Sequence, residues 1–135
     1  MNIFDQVNSL KLPMGQYAVI GSGVMAAHGI RDFKDIDLLV TPRLYEKMKS
    51  EGWQEREVRS DLKKKKKGIF EASPDIMTVG NYRPDTKKLI DEADIINGTA
   101  FVRLEDVIDF KRAMGRPKDI EDIDLIEKYL NKKCR

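Results

Sequence analysis

The sequence predicts an α/β fold, also describable as α+β, in which a small mixed β-sheet is flanked by helices and followed by C-terminal helices. Three observations predict it. Tyr17 to Val40, YAVIGSGVMAAHGIRDFKDIDLLV, reads as a strand, a sharp turn, a short helix, a loop and a second strand. Pro42 to Gly52 then has the spacing of the crossover helix that a strand needs before it returns to its own sheet. From Leu104 onward, two apolar stripes recur at helical spacing to the end of the chain.

Taken in order, Met1 to Leu12 carries Ile3, Phe4, Val7 and Leu10 at helical spacing, and Pro13 with Gly15 ends that packing helix. Tyr17 to Ile20 is a short run of β-formers, broken by Gly21-Ser22-Gly23 where the backbone turns. A helix follows through Val24 to His28 and closes at Gly29. Asp35 to Val40 restarts a strand pattern bounded by Pro42. Alternation places Asp35 and Asp37 on one face and Ile36, Leu38 and Val40 on the other, so one face packs and the other carries two carboxylates. Like charges about 7 Å apart along a strand repel and resist desolvation unless a cation lies between them. A magnesium ion suits that position. Gly21-Ser22 sits where a strand feeds a helix, so its amide groups and the helix dipole would face an anion. A phosphate site beside a metal site points to a magnesium-bound nucleotide.

In the next helix, Leu44, Tyr45 and Met48 share one side and Gly52 is the stop. Trp53 to Val58 reads as a strand, after which positive charge concentrates as far as Lys63-Lys64-Lys65-Lys66-Lys67. Five adjacent lysines repel one another and read first as a solvated, flexible hairpin or loop; the alternative is a contact for a polyanion. Gly68 to Val79 predicts a strand up to Ala72, a break at Pro74 and a short strand from Asp75 to Val79. Asp85 to Ala93 predicts a helix, and Ala100 to Arg103 a strand after the Asn97-Gly98 turn. Leu104, Val107, Ile108 and Met114 mark the inward stripe of a helix that Gly115 ends. Lys111 falls on that stripe, with its stem buried and its ammonium either in water or aimed into a cleft towards an anion. Pro117 opens the last helix, on which Ile120, Ile123, Ile126 and Leu130 form the apolar stripe.

Length bounds these elements to one domain of 135 residues, with a core portion over 14–103 and a helical portion over 104–135. Charged residues make up 36% and hydrophobic ones 41%, as in a soluble globular protein. No apolar run is long enough to span a membrane and no signal-peptide pattern opens the chain, so the expected location is cytoplasmic. Cys134 is the single cysteine, which excludes an internal disulfide and a cysteine-based zinc site. The lone His28 leaves no Ser-His-Asp triad or paired-histidine metal site among its alternatives and reads as a packed or solvent-facing side chain. A net charge of +2 does not by itself imply nucleic-acid binding.

Gly21-Ser22, a helix, and Asp35-Ile36-Asp37 between apolar residues resemble the signature of the nucleotidyltransferase superfamily, whose catalytic core is polymerase-β-like. That resemblance covers about a third of the chain. It implies that Gly21 and Ser22 hold the phosphates of a nucleoside triphosphate and that Asp35 and Asp37 hold Mg2+ or Mn2+. It also implies a third acid on a later strand. Asp75 fits that order and Glu71 is its rival. A second resemblance, from Leu104-Glu105-Asp106 through Lys111 to Arg116-Pro117-Lys118-Asp119 and Asp122, is to the C-terminal block of bacterial nucleotidyltransferase-like proteins. That group includes relatives of toxin–antitoxin and abortive-infection members, and the resemblance gives Lys111 and Asp119 roles in assisting the metal acids. Arg116 and Lys118 join Lys111 as partners for the phosphates. The implied reaction is transfer of a nucleoside monophosphate to a hydroxyl acceptor, which could be RNA, a protein or a small molecule. A different class of reading is a non-catalytic module that binds a nucleotide or a protein partner, such as an antitoxin-like component. A nucleic-acid binder using the lysine run ranks last, because it leaves the acid pair unexplained.

Overall fold

The computed structural model describes residues 2–59, 62–75 and 81–133. Seven strands form one mixed sheet in the order β3-β4-β5-β2-β1-β7-β6. They are β1 (Tyr17–Ile20), β2 (Ile36–Val40), β3 (Gln54–Arg59), β4 (Leu62–Lys67), β5 (Phe70–Ser73), β6 (Asp94–Ile96) and β7 (Thr99–Phe101). Six helices accompany them: α1 (Ile3–Asn8), α2 (Ser22–Ala27), α3 (Pro42–Lys49), α4 (Thr86–Asp91), α5 (Leu104–Met114) and α6 (Pro117–Lys133). The α/β class predicted from the sequence is the one observed.

The helix starts follow local chemistry. Asn2, Thr41 and Asp85 sit in extended conformation before α1, α3 and α4, and each side chain accepts from an amide of the first turn. The first helix is shorter than Met1 to Leu12 because Ser9 closes it and Lys11 turns to φ 52°. Gly115 ends α5 in the left-handed conformation, as expected. Asn97 and Gly98, both at positive φ, make the two-residue turn between β6 and β7. Strand β6 escaped the sequence reading because Asp94-Ile95-Ile96 is too short to show a period.

Register decides what each face of the sheet carries. Val19 pairs Leu38, Leu38 pairs Ala72 and Ala72 pairs Lys65, so these residues share one face. Ile20, Asp37, Glu71 and Lys66 are likewise in line on the other. Helices α1, α2 and α3 cover the first face. Gly23 of α2 lies so close to β1 that a Cβ there would stand 2.6 Å from Val19 Cγ1. The second face carries the Asp37 carboxylate, as alternation predicts, but it is also partly packed. Leu39, on the same side as Asp37, is fully buried under α4, and only the start of β2 opens to solvent.

Of the hairpin and the loop expected for the lysine run, the structure shows the paired form, antiparallel to β3. Lys63 to Lys67 are residues of β4, an interior strand between β3 and β5. Pairing offsets the repulsion: Glu57 stands opposite Lys63, Glu55 opposite Lys65, and Glu71 opposite Lys66. Lys65 is buried, donating to the Tyr45 carbonyl with its ammonium 4.1 Å from the centre of the Tyr45 ring. The strand predicted from Asp75 to Val79 falls largely on residues 76–79, outside the described residues; Asp75 itself lies in a bend with Pro74.

Candidate active site

The site grows from the turn at the end of β1. Because β1 runs antiparallel to β2 with Ile20 opposite Asp37, the residue after Ile20 must pass directly over the Asp37 carboxylate. Gly21 does so at φ 69°, and a Cβ built on it would lie 3.5 Å from Asp37 Oδ2. The positive φ favours glycine there, whereas a Cβ at that distance would make only an ordinary contact. Gly21 also caps α2 without a side chain, so the first amides of the helix have no side-chain acceptor.

A cleft of about 630 Å³ opens at this point. It is lined by Gly21, Ser22, Asp35, Asp37, Lys111, Arg116 and Lys118, which unites seven of the residues singled out in the sequence. Arg31, Lys34, Phe33, Phe110 and Asp122 complete much of its wall. A smaller cavity of about 120 Å³ adjoins it across Gly21, Asp37 and Phe110. Lys64, Ser73, Asp75 and Asp106 face that second space, together with Leu89, Val102 and Val107.

Asp35 occupies the bend just before β2 and is exposed, whereas Asp37 is half-buried on the strand. Burial pushes the Asp37 carboxyl above the usual carboxylate range; the Lys64 charge opposes this, and the charges of Glu71 and Asp35 add to it. Three carboxylates therefore act on one another here. Asp37 and Glu71 are direct register partners on neighbouring parallel strands. Glu71 is engaged by two cations, Arg56 Nη2 at 2.9 Å and Lys64 Nζ at 3.3 Å. Asp75 lies beyond the end of β5, where its backbone carbonyl accepts from Ser73 Oγ, and it shares the smaller cavity with Asp37. Among the described residues no three acid, histidine or cysteine side chains stand as a preformed group able to hold a metal ion, so Asp35, Asp37 and Asp75 do not make a ready triad. The donor chemistry still suits a hard divalent cation: Asp35 and Asp37 offer carboxylate oxygens to one cleft, and Asp37 is partly desolvated with the Glu71 and Asp35 charges nearby.

The cations of the cleft come from α5, the turn between α5 and α6, the start of α6, and the loop before β2. Lys111 is buried, and its ammonium donates to Asp122 Oδ2 at 2.9 Å with Asp119 Oδ1 at 3.8 Å. Arg31 Nη1 reaches Asp122 Oδ1 at 2.6 Å. Asp119 is fully buried and accepts from the Arg116 amide, Nε and Nη2. Burial alone would raise its carboxyl, but the Arg116 hydrogen bonds and the charges of Arg116 and Lys111 hold it below the usual range. Asp119 borders neither cavity; it holds two cations from behind. The inward stripe of α6 is correspondingly Asp119, Asp122 and Ile126, while Ile120 is 61% exposed. The apolar period mistook its start because two buried acids take positions that hydrophobic residues usually fill. His28 packs edge-on against Tyr129, with Nδ1 3.2 Å from the Tyr129 hydroxyl, and borders neither cavity.

Sequence reasoning missed Arg31, and it named Lys64 only within the lysine run and Asp122 only within the C-terminal resemblance, without the positions they take here. Only the pairing of strands and the packing of α5 on α6 bring them to the site, and local spacing carries no trace of that. No family model and no curated protein matches the sequence. Among solved structures, the chain is similar to the aminoglycoside nucleotidyltransferase ANT(2″)-Ia, crystallised in complex with adenylyl-2″-tobramycin. The TM-score is 0.53 at 20% identity, over 96% of this chain and 86% of that one. A seven-stranded mixed sheet flanked by helices, with Gly21 bent over Asp37 at its centre, thus forms a nucleotidyltransferase-like fold.

Proposed function

We propose that the protein is a nucleotidyltransferase that moves a nucleoside monophosphate from a nucleoside triphosphate to a hydroxyl of a small-molecule acceptor. The observation that carries this reading is the contact of the Gly21 turn with Asp37 in a cleft that also holds Asp35, Lys34, Lys111, Arg116 and Lys118. Amides at the start of α2 and several cations suit a polyphosphate, and the neighbouring carboxylates suit the cation that travels with it. The neighbour's adenylyl-tobramycin complex supports a small molecule as acceptor over RNA or protein.

Asp35 and Asp37 would hold Mg2+ or Mn2+, with Glu71 a better placed third carboxylate than Asp75 because it faces Asp37 across the strand pair. Bound there, a divalent ion supplies charge neutralisation and polarisation of phosphoryl oxygens. The chain does the rest. Gly21, Ser22, Lys34 and Lys118 grip the β- and γ-phosphates. Arg31 and Arg116, held in place by Asp122 and Asp119, offset charge growing on the leaving pyrophosphate. The acceptor enters the smaller cavity, and its hydroxyl oxygen bonds to the α-phosphorus as the bond to the bridging oxygen breaks. Asp75, on the wall of that cavity, takes the hydroxyl proton.

The test is transfer of label from α-³²P nucleoside triphosphates to a panel of hydroxylated small molecules, RNA and protein, with and without Mg2+. Transfer should require the ion and drop at least about 100-fold in Asp35→Asn and Asp37→Asn, as expected for loss of a principal electrostatic contact. Nucleotide binding without transfer to any acceptor would instead favour the non-catalytic module.

A further inference from the structure

The lysine strand supplies one side chain that the proposed reaction does not use. Alternation along β4 sends Lys65 to the face covered by α3 and Lys64 to the face that carries Asp37 and Glu71. Lys64 is half-buried. Its ammonium is 3.3 Å from Glu71 Oε1, and it shares a cavity wall with Asp37. Arg56, its register partner on β3, holds the other Glu71 oxygen at 2.9 Å. Asp37 and Glu71 are themselves in register, so a tethered ammonium lies at the side of the carboxylate group where a divalent cation would collect.

We propose that Lys64 is a built-in competitor for that cation. It neutralises Glu71 and Asp37 while the site is empty of metal, and it must release Glu71 before that carboxylate can ligate. Two consequences follow. The nucleotide-free protein binds divalent ions weakly, so the ion enters chiefly together with the triphosphate. Once displaced, the Lys64 ammonium is left facing the smaller cavity, where it can meet the transferring phosphoryl group. The inference rests on the reading of Asp35 and Asp37 as a cation site.

Direct Mn2+ binding to the nucleotide-free protein tests it, read by electron paramagnetic resonance of the free ion so that no turnover is needed. Lys64→Met keeps the stem and removes the charge; it should tighten Mn2+ binding by about tenfold or more, the scale expected when one like charge within a few ångströms is removed. Lys64→Gln, which preserves polarity if the methionine variant folds poorly, should do the same. In a Glu71→Gln background the gain should largely disappear. Equal affinity in wild type and both Lys64 variants overturns the competition while leaving the cation site intact. Absence of Mn2+ binding in folded wild type and variants alike, checked by circular dichroism, overturns both this inference and the reading of the acid pair.

Discussion

Asp37 is the residue on which the account turns, and its environment makes a stability prediction as well as a functional one. Burial raises its proton affinity, the Glu71 and Asp35 charges raise it further, and Lys64 only partly opposes them. The folded protein therefore holds this proton more tightly than the unfolded chain, whose ordinary value is near 3.8. As pH rises from below that value through the raised one, the folded state must give up a proton it favours, and stability falls. Above the raised value the penalty is present in full. Asp37→Asn removes it, so the variant should melt above wild type at pH 7. The difference should fade as pH drops below the ordinary aspartate value. Thermal melts of both proteins across that range check the sign; a variant less stable at pH 7 would contradict it. Gly21 belongs to the same unit, because it stands in contact distance of Asp37 Oδ2 in a positive-φ conformation that strains any other residue.

At the scale of elements, legibility divided along local and non-local lines. Strands β1 and β2, the turn between β1 and α2, and α5 with its Gly115 stop were readable because each depends on a few adjacent residues. Strand β4 was not, since five lysines become a strand only through Glu55, Glu57, Glu71 and Tyr45, which lie far off in sequence or on another element. The same holds for α6, where Asp119 and Asp122 look like surface acids until α5 delivers Lys111 between them. Asp122 ties α6 to Lys111 of α5 at 2.9 Å, and the fully buried Asp119 takes its hydrogen bonds from Arg116 in the turn between the two helices. Asp119→Asn should cost about 1–3 kcal/mol, because it weakens the charged hydrogen bonds to a partly solvated Arg116 while Lys111 keeps Asp122 at 2.9 Å. Urea unfolding monitored at Trp53 measures this, and a loss below about 1 kcal/mol would mean the ion network is incidental to stability.

For the whole molecule, the sheet acts as the ruler that brings chemistry together. Its order sets β1 beside β2 and β2 beside β5, so the Gly21 bend, the acid pair and Glu71 meet at one end of three adjacent strands. Helices α5 and α6 then close the opposite wall with Lys111, Arg116 and Lys118. From the sequence alone, Gly21, Ser22, Asp35, Asp37, Lys111, Arg116 and Lys118 could be gathered into one cleft. The neighbour of Asp37 across the strands could not, because Glu71 and Asp75 differ only in which one the register turns towards it. That cleft should receive a triphosphate tail. Backbone amide resonances followed by NMR, during titration with a non-hydrolysable nucleoside triphosphate and Mg2+, report this directly. Gly21, Ser22 and Gly23 should show the largest shifts, with smaller ones at Lys34 and Lys118, and omission of Mg2+ should weaken the response at least about tenfold. Shifts confined to the lysine strand and its neighbours, with Gly21 and Ser22 unmoved at saturation, would contradict it.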